Sequence, residues 1–278
     1  MESDCDPVNN KNWAVYKYLA CVYSNMGQES PFELELFSPV EPGQTLLVGL
    51  STPGLAGLTA ANQIIEERNG TEIGQISPAE LPAISPFEDG RPRHHTRLYD
   101  LPETDFTVLL SELFIPPWAA RSFANQLVEW ANETAIEDVC LLHGVPYPHG
   151  PDQHRPYYVA TDNFRERRLT DTDIQPMKGG FLDGVAGELV SRSLREQAPP
   201  VGVLVTPAHV PGPDIDGALC FLDAIEEIYG LSIDRTELED LSDTIQKQLA
   251  ALADHMAALD ESDDSQKDRE FYADRMYM

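Results

Sequence analysis

Lysine is scarce in this chain: five residues in 278, so most of the 19 basic side chains are arginine, set against 47 acidic ones. The formal charge of -28 repels the phosphates of nucleic acids and the headgroups of anionic membranes, which excludes both as partners. Cysteine is also rare. Cys5, Cys21, Cys140 and Cys220 are far apart with no Cys-x-x-Cys pair, so neither a disulfide framework nor a thiolate zinc site is expected, and a reducing cytoplasm fits best. Long apolar runs are missing. The stretch Tyr18 to Tyr23 is too short to cross a bilayer, and the residues before it lack the basic start of a signal peptide. No Gly-x-Ser-x-Gly elbow surrounds a serine, no cysteine has a base arranged nearby, and no P-loop is present, so catalytic residues are expected to be absent.

What the chain does have is acid spread along its whole length. A solvated surface in a salt-rich cytoplasm is built this way, because salt screens the self-repulsion. The composition therefore reads as that of a halophilic archaeon. An ordinary acidic protein is the alternative, and stability measured against KCl concentration separates the two.

With 42% hydrophobic residues the chain is long enough to bury a full core. Residues 1–31 are polar and without period: either a disordered N-terminal extension, or residues ahead of a true start at Met26. From Phe32 onward, short β-rich runs alternate with helical patterns, the signature of an α/β fold. Strands are expected at Phe32–Phe37, Thr45–Leu50, Glu72–Ser77, Thr96–Leu101, Phe106–Leu113, Val139–His143, Tyr157–Thr161 and Val201–Thr206. A helix over Trp118–Asn132 places Ala120, Phe123, Leu127 and Ala131 on one face. A second runs from Asp214 as N-cap to Tyr229, closed by Gly230. The α/β domain thus spans 32–232. An amphipathic helix over 233–259 follows, opened by a capping box at Thr236–Glu239 and carrying a seam of Leu238, Leu241, Ile245, Leu249, Leu252, Met256 and Leu259. Residues 260–278 form an acidic flexible tail with nothing to bury between Asp260 and Lys267.

Several motifs suggest chemistry, and a plainer reading is preferred for most. Gly49-Leu50-Ser51-Thr52-Pro53-Gly54-Leu55-Ala56-Gly57 follows a strand and opens a helix, where backbone N–H groups cradle anions. Yet Pro53 removes a donor, the spacing matches no nucleotide fingerprint, and tight helix-to-sheet packing explains these glycines better. The same holds for Met177 to Gly187, with Lys178 its one cation. His143, His149 and His154 offer imidazoles within one segment, but its prolines make a stiff loop, so ordinary loop histidines and no metal are expected. Two basic clusters, Arg91, Arg93, His94, His95 and Arg97 on one hand and Arg165, Arg167 and Arg168 on the other, are either surface charge or a patch for an acidic partner. Ser111, Glu112 and Asp162 end strands, where α/β enzymes place working groups, without making an active site.

The strand-turn Leu47 to Gly57, the run Lys178-Gly179-Gly180-Phe181-Leu182-Asp183-Gly184-Val185-Ala186-Gly187-Glu188-Leu189, and Thr206-Pro207 followed by the Asp214 helix ending at Tyr229-Gly230-Leu231 together resemble the proteasome assembly chaperone 2 family, over about residues 32 to 256. The resemblance implies a three-layer α/β/α domain, nucleoside-phosphorylase-like with a mixed, mostly parallel sheet, that forms homo-oligomers and works without catalysis or cofactor. It also implies a partner: proteasome α subunits or the α ring, bound by a tail of the form hydrophobic-Tyr-X. Met276 fills the hydrophobic place, Tyr277 the tyrosine and Met278 the free end. Physically, an apolar anchor, an amphipathic ring and a terminal carboxylate make a compact ligand for a pocket containing a lysine. The competing reading is a small-molecule enzyme, phosphorylase-like or an ATP-dependent ligase, using the glycine-rich turns.

Overall fold

A computed structural model describes residues 32–37, 41–78, 81, 84–147, 149–150, 154–209 and 213–242. The extension 1–31, the seam from Ile245 onward, the acidic tail and Met276, Tyr277 and Met278 lie outside these residues.

All eight expected strands are present within one or two residues of their expected bounds. They are β1 (Phe32–Leu36), β2 (Thr45–Leu50), β3 (Thr71–Pro78), β6 (Thr96–Asp100), β7 (Phe106–Ser111), β8 (Asp138–Val145), β9 (Tyr157–Ala160) and β11 (Val201–Pro207). Two-residue pieces complete the set: β4 (Phe87–Glu88), β5 (Arg91–Pro92) and β10 (Gln175–Pro176). Nine strands join in one mixed sheet of order β1-β3-β6-β7-β2-β8-β11-β9-β10, and β4 and β5 pair separately. Parallel pairing holds in the core of the sheet. Leu47 lies between Val108 and Cys140, and Leu141 pairs with Val203, all on parallel neighbours. On one side of this core the pairing turns antiparallel, β1 with β3, β3 with β6 and β6 with β7, and on the other side β9 runs antiparallel to β11. The link between β6 and β7 shows why: five residues reverse the chain but are too few for a parallel crossover.

Helices α1 (Ala56–Glu67), α2 (Pro117–Glu133), α4 (Gly184–Ser193) and α5 (Ile215–Tyr229) supply the apolar cover. A short helix, α3 (Asp162–Phe164), runs into a π-turn over Arg165–Leu169. Because strand side chains alternate between faces, the core divides in two. Leu47, Cys140, Leu142 and Leu204 pack with Ala60 and Ile64 of α1 and Phe221 and Ile225 of α5. Leu46, Val48, Leu141 and Val203 pack with Phe123 and Leu127 of α2 and Leu189 of α4. Each fully buried Leu or Phe contributes roughly 1.5–3 kcal/mol. Strand β2 is buried at all six positions, as expected of a strand covered on both faces.

Helix ends follow the chemistry of their residues. The Asp214 carboxylate accepts from the Gly217 N–H at 2.9 Å, and Gly230 closes α5 at φ 68. The expected capping box at Thr236 does not form. Helical structure over 236–242 starts instead from Arg235, whose carbonyl accepts from Glu239 N–H, while Asp234 accepts from both the N–H and the hydroxyl of Thr236. The Glu239 N–H is thus taken by a backbone carbonyl, and Thr236 lies inside the helix with its hydroxyl turned to Asp234, so it does not act as the N-cap. Among the described residues no helix is long and apolar enough to cross a membrane.

Candidate functional site at the carboxyl edge of the sheet

Parallel strands end together, and the segments after β2, β7, β8 and β11 therefore meet along one edge, where open α/β sheets bind ligands. Here that edge holds a cleft of about 490 Å³. It is lined by both glycine-rich runs the sequence singled out, through Ser51, Thr52, Pro53 and Asp183 to Ala186, together with His143 and an apolar rim of Phe114 and Phe181. Phe181 is fully exposed. Desolvation pushes the His143 imidazole below its usual pKa, against a weaker opposing pull from Asp183.

The first glycine run is held tightly. A side-chain carbon on Gly57 would come within 2.6 Å of the Leu142 carbonyl oxygen, so α1 lies against β8 only because the residue is glycine. The turn is tied on both sides: Gly144 N–H donates to the Thr52 hydroxyl at 3.3 Å, and Asp214 N–H donates to the Gly54 carbonyl at 2.6 Å. Thr52 and Leu55 N–H groups are committed within the turn, to Leu50 and Thr52 carbonyls. The second run differs from the packing expected of it. Only Gly187 is crowded, by the Leu182 carbonyl, while Gly179, Gly180 and Gly184 face open space, and Gly184 sits at φ 56, where glycine is favoured.

Histidines assemble otherwise than their spacing suggests. His149 and His154 do meet, but their third neighbour is His209 from the segment after β11, while His143 stays in the cleft. Ring centroids are 5.1 Å apart for His149 and His154, and 4.9 Å for each of them with His209. Nothing local in the sequence marks His209; its one signal is Asp214 five residues on, whose carboxylate serves both the His209 ring and the cap of α5.

The two basic clusters are largely neutralised within the chain. Arg97 is fully buried, donating to Glu112, to the Tyr99 hydroxyl and to the His94 carbonyl, and Arg93 pairs with Glu88. Arg167 pairs with Glu137, Arg168 with Asp138 and Arg165 with Asp162. The π-turn points Arg167 and Arg168 toward the start of β8, so both sites serve the fold. Ser111 likewise is buried and bonded to the Thr96 hydroxyl at 2.7 Å.

The sequence profile of the PAC2 family matches residues 46–253, three quarters of the chain. The chain belongs to the PAC2 family. No curated protein matches it significantly. Its fold is similar to that of Pyrococcus furiosus PbaA, described as an archaeal homolog of proteasome-assembly chaperone, with a TM-score of 0.71 and 21% identity over 88% of this chain and 99% of that one. Pyrococcus furiosus PbaB, described as an archaeal proteasome activator, aligns with a TM-score of 0.66 and 16% identity over 81% of this chain and 99% of that one. A Thermoplasma acidophilum protein of unknown function aligns with a TM-score of 0.64 and 21% identity, over 92% and 98% of the respective chains. These likenesses concern the fold. The match covers both glycine-rich runs, the histidine cluster and the body from β2 through α5, and it leaves β1 and the last three residues outside.

Proposed function

We propose that this protein is a non-enzymatic proteasome assembly chaperone or adaptor that engages proteasome α subunits or the α ring through Met276, Tyr277 and Met278. The observation that carries this reading is PAC2 membership over 46–253, joined to a fold similar to a chaperone homolog and a proteasome activator. The body is a three-layer α/β/α domain of nucleoside-phosphorylase-like architecture, and it works as a small homo-oligomer in the cytoplasm of a halophilic cell. Several copies of the tail on one oligomer raise the effective concentration of weak single contacts. Pull-down of the full chain from lysate in high KCl, followed by mass spectrometry, tests the partner. Enrichment of α subunits is expected, and their absence from the bound fraction contradicts the reading.

The cleft at the carboxyl edge favours a second reading, a small-molecule enzyme of phosphorylase-like or ATP-dependent ligase type. It predicts binding of ATP, a nucleoside or phosphate beside Thr52, His143 and Asp183. Calorimetric titration with each decides it: a saturable signal supports the enzyme, and flat titrations with all three leave the adaptor.

A further inference from the structure

His149, His154 and His209 come from the segments after β8 and β11, and one ring nitrogen of each lies within 4.8 Å of the other two. Two of these rings have their tautomer fixed by an oxygen acceptor at Nδ1, which leaves the lone pair on Nε2. His149 Nδ1 lies 2.9 Å from the Tyr147 carbonyl oxygen, which only accepts, so the proton is on Nδ1 and Nε2 keeps its lone pair. His209 Nδ1 lies 3.0 Å from the Asp214 carboxylate, which fixes the same tautomer and puts its lone pair on Nε2. Asp214 is itself held rigidly. Its carboxylate also accepts from the N–H groups of His209 and Gly217, and its side chain is 3% exposed. On the third ring, His154 Nδ1 donates to His149 Nε2 at 3.0 Å, so its own lone pair is on Nε2, which is buried with no hydrogen-bond partner. Three converging imidazoles, two of them backed by an oxygen acceptor and one with an unsatisfied buried nitrogen, are expensive as a mere loop.

We propose that His149, His154 and His209 bind a divalent transition-metal ion of the zinc class, with Asp214 as the positioning residue for His209. Tetrahedral zinc at about 2.0–2.1 Å from each nitrogen holds its ligand nitrogens roughly 3.3 Å apart, so no pair of rings needs to close by more than about 1.5 Å. Imidazole nitrogens suit zinc, nickel and copper, whereas calcium and magnesium require oxygen ligands. An acidic partner on the far ring nitrogen raises ligand basicity and fixes the ring, which is the arrangement His209 and Asp214 already have. Among the described residues no fourth histidine, cysteine or carboxylate joins the three. Its effect is to pin the segment after β8 to the segment after β11 across the start of α5. This site is independent of the tail and of the proteasome reading.

The test uses the full chain, treated with chelator and returned to high KCl, titrated with zinc by calorimetry and with cobalt by visible absorption. One equivalent per chain with the d–d bands of tetrahedral cobalt is expected. Asp214→Asn, which retains an oxygen to cap Gly217, lowers zinc affinity about 10- to 100-fold without changing the helical circular dichroism. His149→Ala and His209→Ala each abolish the cobalt bands. A readout without variants guards against misfolding: zinc protects these three histidines from carbethoxylation, mapped by peptide mass, and magnesium does not. Weak binding of many equivalents that survives the histidine substitutions, or equal modification with and without zinc, overturns the proposal.

Discussion

Arg168 Nη2 and Nε lie 2.7 and 2.9 Å from one oxygen of Asp138, a carboxylate with no exposed surface. The guanidinium also stacks over the Tyr229 ring at 5.0 Å, so one side chain joins the π-turn, the start of β8 and the end of α5. Without Arg168 the buried Asp138 carboxylate keeps only Arg167, at 3.8 Å, as a counter-charge. Arg168→Ala is expected to destabilise the fold by about 3–5 kcal/mol, and adding Asp138→Asn to recover part of that loss. Urea unfolding in high KCl measures both; a loss below 1 kcal/mol for Arg168→Ala would show that the pair is unimportant.

Gly57 and Gly179 give opposite expectations for the same substitution. Gly57→Ala drives a methyl group into the Leu142 backbone and is expected to cost about 1–3 kcal/mol. Gly179→Ala meets nothing within 4 Å and is expected to stay within about 0.5 kcal/mol. Paired thermal melts compare the two, and equal effects would contradict the packing described for the first glycine run.

Burial pushes the Cys140 thiol up to about 12, with Asp138 adding to the effect. Burial likewise raises Cys220 to about 12, helped by Asp223, Asp214 and Asp216. Since the thiolate is the reactive form, neither is expected to be alkylated at about pH 8 in the folded chain, and both to be alkylated in urea. Peptide mass mapping reads the result, and rapid native labelling of Cys140 would place it outside the core.

His95 is buried and bonded to the Thr96 hydroxyl at 2.9 Å. Desolvation, reinforced by His94 and Arg97, lowers its pKa from 6.5 to about 4. The unfolded chain therefore binds the proton more readily than the folded one, and stability rises with pH through this window. The contribution is complete above pH 6.5 and is lost as pH falls toward 4. His95→Gln is expected to flatten the stability profile between those values by up to one proton, measured by urea midpoints at stepped pH. An unchanged slope would contradict the buried neutral ring.

Much of the fold was legible because its signals are local. Thr45–Leu50 reads as a continuous apolar run, and the Asp214 and Gly230 ends of α5 carry their own chemistry. The antiparallel end was less visible, since strand direction depends on how few residues join β6 to β7 and not on the strands themselves. The π-turn is not legible in the sequence because Arg165 to Arg168 carry no local sign of Glu137 and Asp138, which pair with Arg167 and Arg168 from 30 residues away. The histidine cluster was hidden for the same reason: His149 and His154 share a segment, but His209 reaches them only through the pairing of β8 with β11.

The most direct test of the account is binding of the full chain to purified proteasome α subunits, compared with a chain lacking residues 276–278 and with Tyr277→Ala. Loss of detectable co-purification on deletion, and at least about tenfold weaker binding for Tyr277→Ala, are expected if the tail is the anchor. Undiminished binding by the truncated chain, with its fold intact by circular dichroism, would contradict the central claim.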